Sequence, residues 1–169
     1  MKARITTAVV ITLGITFGTT GCSLFAPQAT TTRYEASDGV GADVGELAIR
    51  NAIVISDNGK TGNLIVTVAN NGSTGHALGV QYKTATGRAN TSIVVDAKKT
   101  VVLGTGETTP LELKNIDSIP GSLMPIYFQY GEVPGRQLLV PVLTTAQSAY
   151  STLGPTATPT PQPSQKKSN

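Results

Sequence analysis

The chain holds one cysteine, one histidine and no tryptophan in 169 residues. A single cysteine excludes an intramolecular disulfide and every cysteine-cluster metal site, and a single histidine excludes a multi-histidine site. Charged residues are only 14% and aromatics 5%, which does not fit a helical bundle or coiled coil rich in Ala, Glu, Lys, Leu and Arg. The longest uncharged apolar stretch near the start, residues 5–16, is shorter than the ~20 residues a spanning helix needs. What is abundant is Gly, Thr and Val, in a length that suits one domain.

The net charge is +3 and the sequence pI about 9.1. Four cations sit at the extremes: Lys2 and Arg4, Lys166 and Lys167. Residues 33–150 carry nine Lys/Arg against all ten acids, with Lys98-Lys99 the one adjacent basic pair there. Nucleic-acid binding needs clustered cations to displace counterions from phosphates, so no nucleic-acid partner is expected.

Residues 1–21 have the basic n-region, apolar h-region and small-residue end of a secretory signal. Cys22 follows Gly21 and the small Thr19-Thr20. This resembles the bacterial lipobox, with Thr19 where that pattern usually has Leu. The resemblance implies that the Cys22 thiol receives a diacylglyceryl group and becomes the first mature residue, with palmitate-type acyl chains holding the protein to membrane lipid. Two chains anchor stably where one is marginal. The expected location is therefore the outer face of the cell membrane.

Residues 22–33 read as the lipidated cysteine and a flexible tether. Residues 147–169 hold Pro155, Pro159, Pro161 and Pro163 among Thr, Ser and Gln. Such a composition favours extended conformers and a disordered tail. The domain is expected over 34–146, in eight strands: 47–56, 63–70, 76–83, 92–96, 100–104, 111–115, 124–130 and 137–143. They are β-branched and separated by Gly, Asn, Asp and Pro turns, with residues 131–135 as a hairpin loop. This predicts an all-β fold, an antiparallel sandwich of the immunoglobulin or cupredoxin kind. Alternation puts Ile49, Ile53 and Ile55 on one face of the first strand. It groups Leu64, Val66 and Val68 on the second, and Leu78, Val80 and Tyr82 on the third. Pro141 suggests a sheet edge or bulge, because proline cannot donate to a ladder. Tyr127, Phe128 and Tyr130 read as aromatic core.

The motifs of common chemistry are incomplete. Asn58-Gly59-Lys60-Thr61 mimics the end of a phosphate loop but lacks the upstream glycine and the following helix. Gly104-Thr105-Gly106 lacks the third glycine of a dinucleotide fingerprint. A Ser-His-Asp triad has only His76 to draw on, and His76 follows a Gly-rich turn where an exposed histidine is ordinary. Asp38, Asp43 and Glu46, and then Glu107 and Glu112, are too scattered for a calcium loop and read as solvated acids. No catalytic residue, cofactor or metal site is expected, and the chain is not expected to be an enzyme.

Residues 98–116, then 121–128 (Gly-Ser-Leu-Met-Pro-Ile-Tyr-Phe) and 136–142 (Arg-Gln-Leu-Leu-Val-Pro-Val), resemble the second half of the periplasmic PCu(A)C copper chaperones. These are small exported β-sandwiches with a Leu-x-Pro-Gly-Gly-x-His-x-Met stretch. Leu103 and Gly106 match that framework. Thr109 stands at the His position, Leu111 at the Met position, and Met124 lies outside the motif. The resemblance thus implies the scaffold without the His/Met copper ligands. A wider pattern is similar to a group of small actinobacterial lipoproteins: Tyr34-Glu-Ala-Ser-Asp-Gly-Val, residues 44–52, residues 62–71 and the closing Val140-Pro-Val. The expectation is a membrane-anchored envelope lipoprotein acting as a non-enzymatic binding module. Its partner would be an envelope protein, a polymer or a small ligand; copper handling is the alternative.

Overall fold

A computed structural model describes residues 37–155; Cys22, the signal and most of the expected tail lie outside them. Nine strands follow in order: β1 (Val40–Val44), β2 (Leu47–Ile55), β3 (Thr61–Asn70), β4 (His76–Thr84), β5 (Gly87–Val95), β6 (Thr100–Leu103), β7 (Glu112–Lys114), β8 (Leu123–Gln129) and β9 (Arg136–Leu143). The all-β reading holds, with antiparallel pairing everywhere except where the end of β9 meets β2. Sheet A contains β1, β2, β3, β6 and β7; sheet B runs β5-β4-β8-β9.

Two edges are shared. β3 takes one edge of β2, while the other is divided between β1 and the end of β9. The far edge of β3 is divided likewise between β6 and β7. Pro141 sits where β9 passes between sheets. The Val142 N–H donates toward β8, to the Ser122 carbonyl at 2.9 Å, so the ring nitrogen of Pro141 faces the opposite edge, just before pairing with β2 begins at Val142. No ladder bond is lost there.

The core lies between the sheets. Leu47, Ile49, Leu64, Val66 and Val68 of sheet A meet Leu78, Val80, Ile126, Phe128 and Val140 of sheet B. Period-two alternation explains β3, β4 and β8 directly, but it fails in β2. Ile49, Ala52 and Val54 point into the main core, whereas Ile53 and Ile55 form a separate cluster with Ile65 on the opposite face. Between Arg50 and Ile53 the strand advances three residues while β3 advances two. Asn51 absorbs the extra residue at φ +52°, a conformation asparagine tolerates better than most side chains. This β-bulge reverses the face of everything beyond it, so the expected grouping of Ile49 with Ile53 and Ile55 is corrected.

β1 corresponds to no expected strand. Its Val-Gly-Ala-Asp-Val has little β character of its own, and pairing with β2 holds it extended. The preceding Gly39 lies so close to the bulge that a Cβ there would come within 2.6 Å of the Asn51 backbone. β5 begins at Gly87 rather than residue 92, because a two-residue turn after Thr84 brings Gly87 into register with it.

Residues 147–155, read from composition as tail, are drawn onto sheet A. A 3-10 turn at Ser148–Tyr150 lets Tyr150 and Leu153, with Leu143, cover Ile53, Ile55 and Ile65. The buried Asn63 amide donates to the Gly104 and Leu153 carbonyls at 2.7 and 3.0 Å. Thr145 donates its N–H and hydroxyl to Asp57 at 2.9 and 2.8 Å, and the Tyr150 hydroxyl donates to Asp38 at 2.6 Å. Apolar burial and these bonds offset the ordering entropy that composition alone leaves unmatched.

Candidate functional site

The residues the sequence singles out are dispersed by the fold. In the Asn58 turn, the Asn58 Oδ1 accepts the N–H groups of Lys60 and Thr61 at 2.8 and 3.0 Å, and the Ser56 hydroxyl accepts that of Gly59 at 3.1 Å. The donors a phosphate would need are consumed within the turn.

His76 is not an exposed turn residue. It opens β4 and stacks on Tyr130 with ring centroids 4.3 Å apart, tilted by 34°. Its Nε2 lies 3.3 Å from a Glu46 carboxylate oxygen and 3.2 Å from the Thr74 hydroxyl. The Glu46 N–H donates to the Tyr130 hydroxyl at 2.9 Å. A proton relay needs the hydroxyl and the carboxylate on different ring nitrogens; here both address Nε2. This cluster ties three turns together at one end of the sandwich. Of the acids read as solvated, Asp43 pairs with Arg50 at 2.7 Å and Asp38 accepts the Tyr150 hydroxyl; Asp57, at the turn after β2, accepts from Thr145.

The family ligand positions fall elsewhere. The Gly104 N–H donates to the Thr109 carbonyl at 3.2 Å and the Leu64 N–H to that of Leu111 at 2.9 Å. Both therefore sit near Leu64, about 20 Å along β3 from the Asn70 end, where the Asn70 amide reaches the Thr74 carbonyl two residues from His76. Met124 is buried. Through the β4/β8 register it lies eight residues from the level of His76, about 27 Å. His76 and Met124 cannot share one ion, and among the described residues no three His, Cys, Asp or Glu side chains converge.

What the fold does assemble is a groove of about 420 Å³ on the outer face of sheet B, lined by Gln81, Lys83, Arg88, Pro125, Tyr127 and Gln137. Alternation on β8 sends Met124, Ile126 and Phe128 inward and Pro125 and Tyr127 outward. The expected aromatic core is thus correct for Phe128 and Tyr130 and wrong for Tyr127. The Tyr127 phenol lies over Gly135, where an added Cβ would meet the ring within 2.4 Å. Register places Asn90, Gln81, Tyr127 and Gln137 directly opposite one another on four successive strands. Lys83 faces Arg88 across β4 and β5. None of these four strands contains an Asp or Glu. Sequence reading missed this site because its members are single outward residues on separate strands. The available signal was the absence of acids from four strand segments.

No family model matches the sequence, and no curated protein matches it. Among solved structures the chain is similar to the copper-bound PCuAC domain from PmoF2, at 15% identity and a TM-score of 0.49, over 62% of this chain and 98% of that one. It is also similar to the apo PCuAC domain from PmoF1, at 15% identity and 0.47, over 62% and 99%. No residue role transfers at this identity.

Proposed function

We propose that this chain is a non-enzymatic binding module, held at the outer face of the cell membrane through a diacylglyceryl group on Cys22, with the sheet B groove as its ligand-binding face. The observation that carries the reading is the segregation of charge and polarity. Sheet B presents amides, a tyrosine and two cations around a concavity, while the described acids lie outside its strands. A groove of this size with a few converging polar groups has the character of a ligand site.

The test is complementation of a deletion strain, scored by envelope integrity. Wild-type chain should restore it. Tyr127→Ala with Lys83→Gln should fail while accumulating folded protein, and Cys22→Ser should fail with loss of radiolabelled palmitate. Full complementation by the groove variant, or turnover of a substrate by the purified chain, would refute the proposal. Copper handling remains the alternative that the sequence resemblance motivates. It would need donors other than His76 paired with Met124, and a Cu(I) titration against a competing chelator decides it.

A further inference from the structure

We infer that the sheet B groove takes an anionic saccharide chain laid across the strands; this rests on the groove being the binding face. Three features converge on that chemistry.

The first is the row Asn90, Gln81, Tyr127 and Gln137, one residue per strand at matched register. Strands lie about 4.8 Å apart, so the row spans about 14 Å at an even interval. Each side-chain amide supplies both donors and an acceptor, the combination that vicinal sugar hydroxyls satisfy.

The second is Tyr127. Its ring lies over a glycine backbone at Gly135 and is half-buried, which fixes it as a flat apolar platform with a hydroxyl at its rim. Pro125, exposed two residues earlier on β8, lies on the same side. A pyranose presents a C–H face to such a surface and its hydroxyls to the flanking amides.

The third is the opposition of Lys83 and Arg88. Like charges directly across an antiparallel pair are destabilising, and neither cation has an ion pair or hydrogen bond to a described residue. An anion at the groove's end would neutralise both, Arg88 by a bidentate fork and Lys83 as a point charge. The shared ligand chemistry is therefore a carboxylate- or phosphate-bearing sugar. A lipid surface fits less well. Leu123, Leu139 and Val94 are exposed on this face, but the groove between them is lined by two amides and two cations as well as by Tyr127 and Pro125.

The experiment uses the full chain in mild detergent and titration calorimetry with four probes. These are an oligogalacturonate, the same oligomer with its carboxyls reduced to alcohols, a phosphomannan oligomer, and inorganic polyphosphate. The uronate or the phosphomannan should bind, and the two arms separate carboxylate from phosphate. The reduced oligomer should bind about tenfold more weakly, and polyphosphate no better than the reduced oligomer. Tyr127→Leu should weaken saccharide binding about tenfold with an unchanged denaturation midpoint. Lys83→Gln with Arg88→Gln should remove the preference for the acidic oligomer, whereas Lys98→Gln with Lys99→Gln should leave it intact.

Equal binding of polyphosphate, or indifference to Tyr127→Leu, overturns the inference in favour of charge alone. Sedimentation with phosphatidylglycerol vesicles that depends on Lys83 and Arg88, without saccharide binding, overturns it in favour of a lipid surface. If no saccharide binds while the groove variant still fails to complement, the ligand class falls and the groove reading stands. Saccharide binding by a chain whose groove variant complements fully would instead remove the groove's role in the cell.

Discussion

Sheet A turns Ile53, Ile55 and Ile65 outward and then covers them with Tyr150, Leu153 and Leu143. Sheet B turns Gln81, Tyr127 and Gln137 outward and leaves them open as a groove. Both surfaces are outer faces of one sandwich, and the two sheets share β9. An apolar outer face must find a cover, and here the chain beyond β9 supplies it. The groove needs none, because its amides, cations and phenol are already solvated. It is therefore free to exchange water for a ligand.

The comparison breaks most completely at the bulge. Inserting an alanine after Asn51 would shift the alternation beyond the bulge by one residue, drive Ile53 and Ile55 inward and expel Ala52 and Val54. The expected outcome is loss of cooperative unfolding in a urea titration, beyond the ~3–5 kcal/mol of a large core truncation.

The open face responds to Gly135→Val. A side chain there collides with the Tyr127 ring and the Phe128 carbonyl, the latter within 2.6 Å. It should cost about 1–3 kcal/mol and displace the ring, visible as altered Tyr127 resonances with those of Leu153 unmoved. The covered face gives the converse. Leu153→Ala should cost about 1 kcal/mol, since the side chain is only half-buried, and should speed hydrogen exchange around Ile55 while leaving the groove unchanged.

The smallest effect is at the Tyr150 latch. The hydrogen bond from its phenol to the Asp38 carboxylate is the main cause of a raised pKa, with burial and the carboxylate's charge adding to it. A phenol whose folded-state pKa lies above its unfolded value of about 10 stabilises the fold below that value. It loses the contribution as pH rises through the folded pKa. The latch should therefore hold across neutral pH and loosen above pH ~10. Asp38→Asn should lower the Tyr150 titration midpoint, followed through its ring resonances.

Most strand positions were legible because they carry β-branched residues between turn-forming Asn, Asp, Gly and Pro. The fold class follows from that spacing. β1 was not legible: Val40–Val44 acquires strand geometry from β2 rather than from its own propensity. The β2 face assignment failed for a different reason. A bulge is one residue long, and nothing in Arg50-Asn51-Ala52 distinguishes it from regular strand except an asparagine able to adopt positive φ. Tyr127 was misplaced because three aromatics within four residues suggest a cluster, whereas period two separates the middle of the segment onto both faces.

Composition and periodicity by themselves determined an all-β chain with one histidine, one cysteine and no cluster of soft ligands. These are properties of residues counted singly or along one strand. Only the tertiary structure decided which residues meet. Sheet register depends on hydrogen bonds between segments far apart in the chain, and it set Asn90, Gln81, Tyr127 and Gln137 in one row and Lys83 against Arg88. The same pairing separated His76 from Met124, and it carried residues 147–155 back onto Ile53 and Ile55.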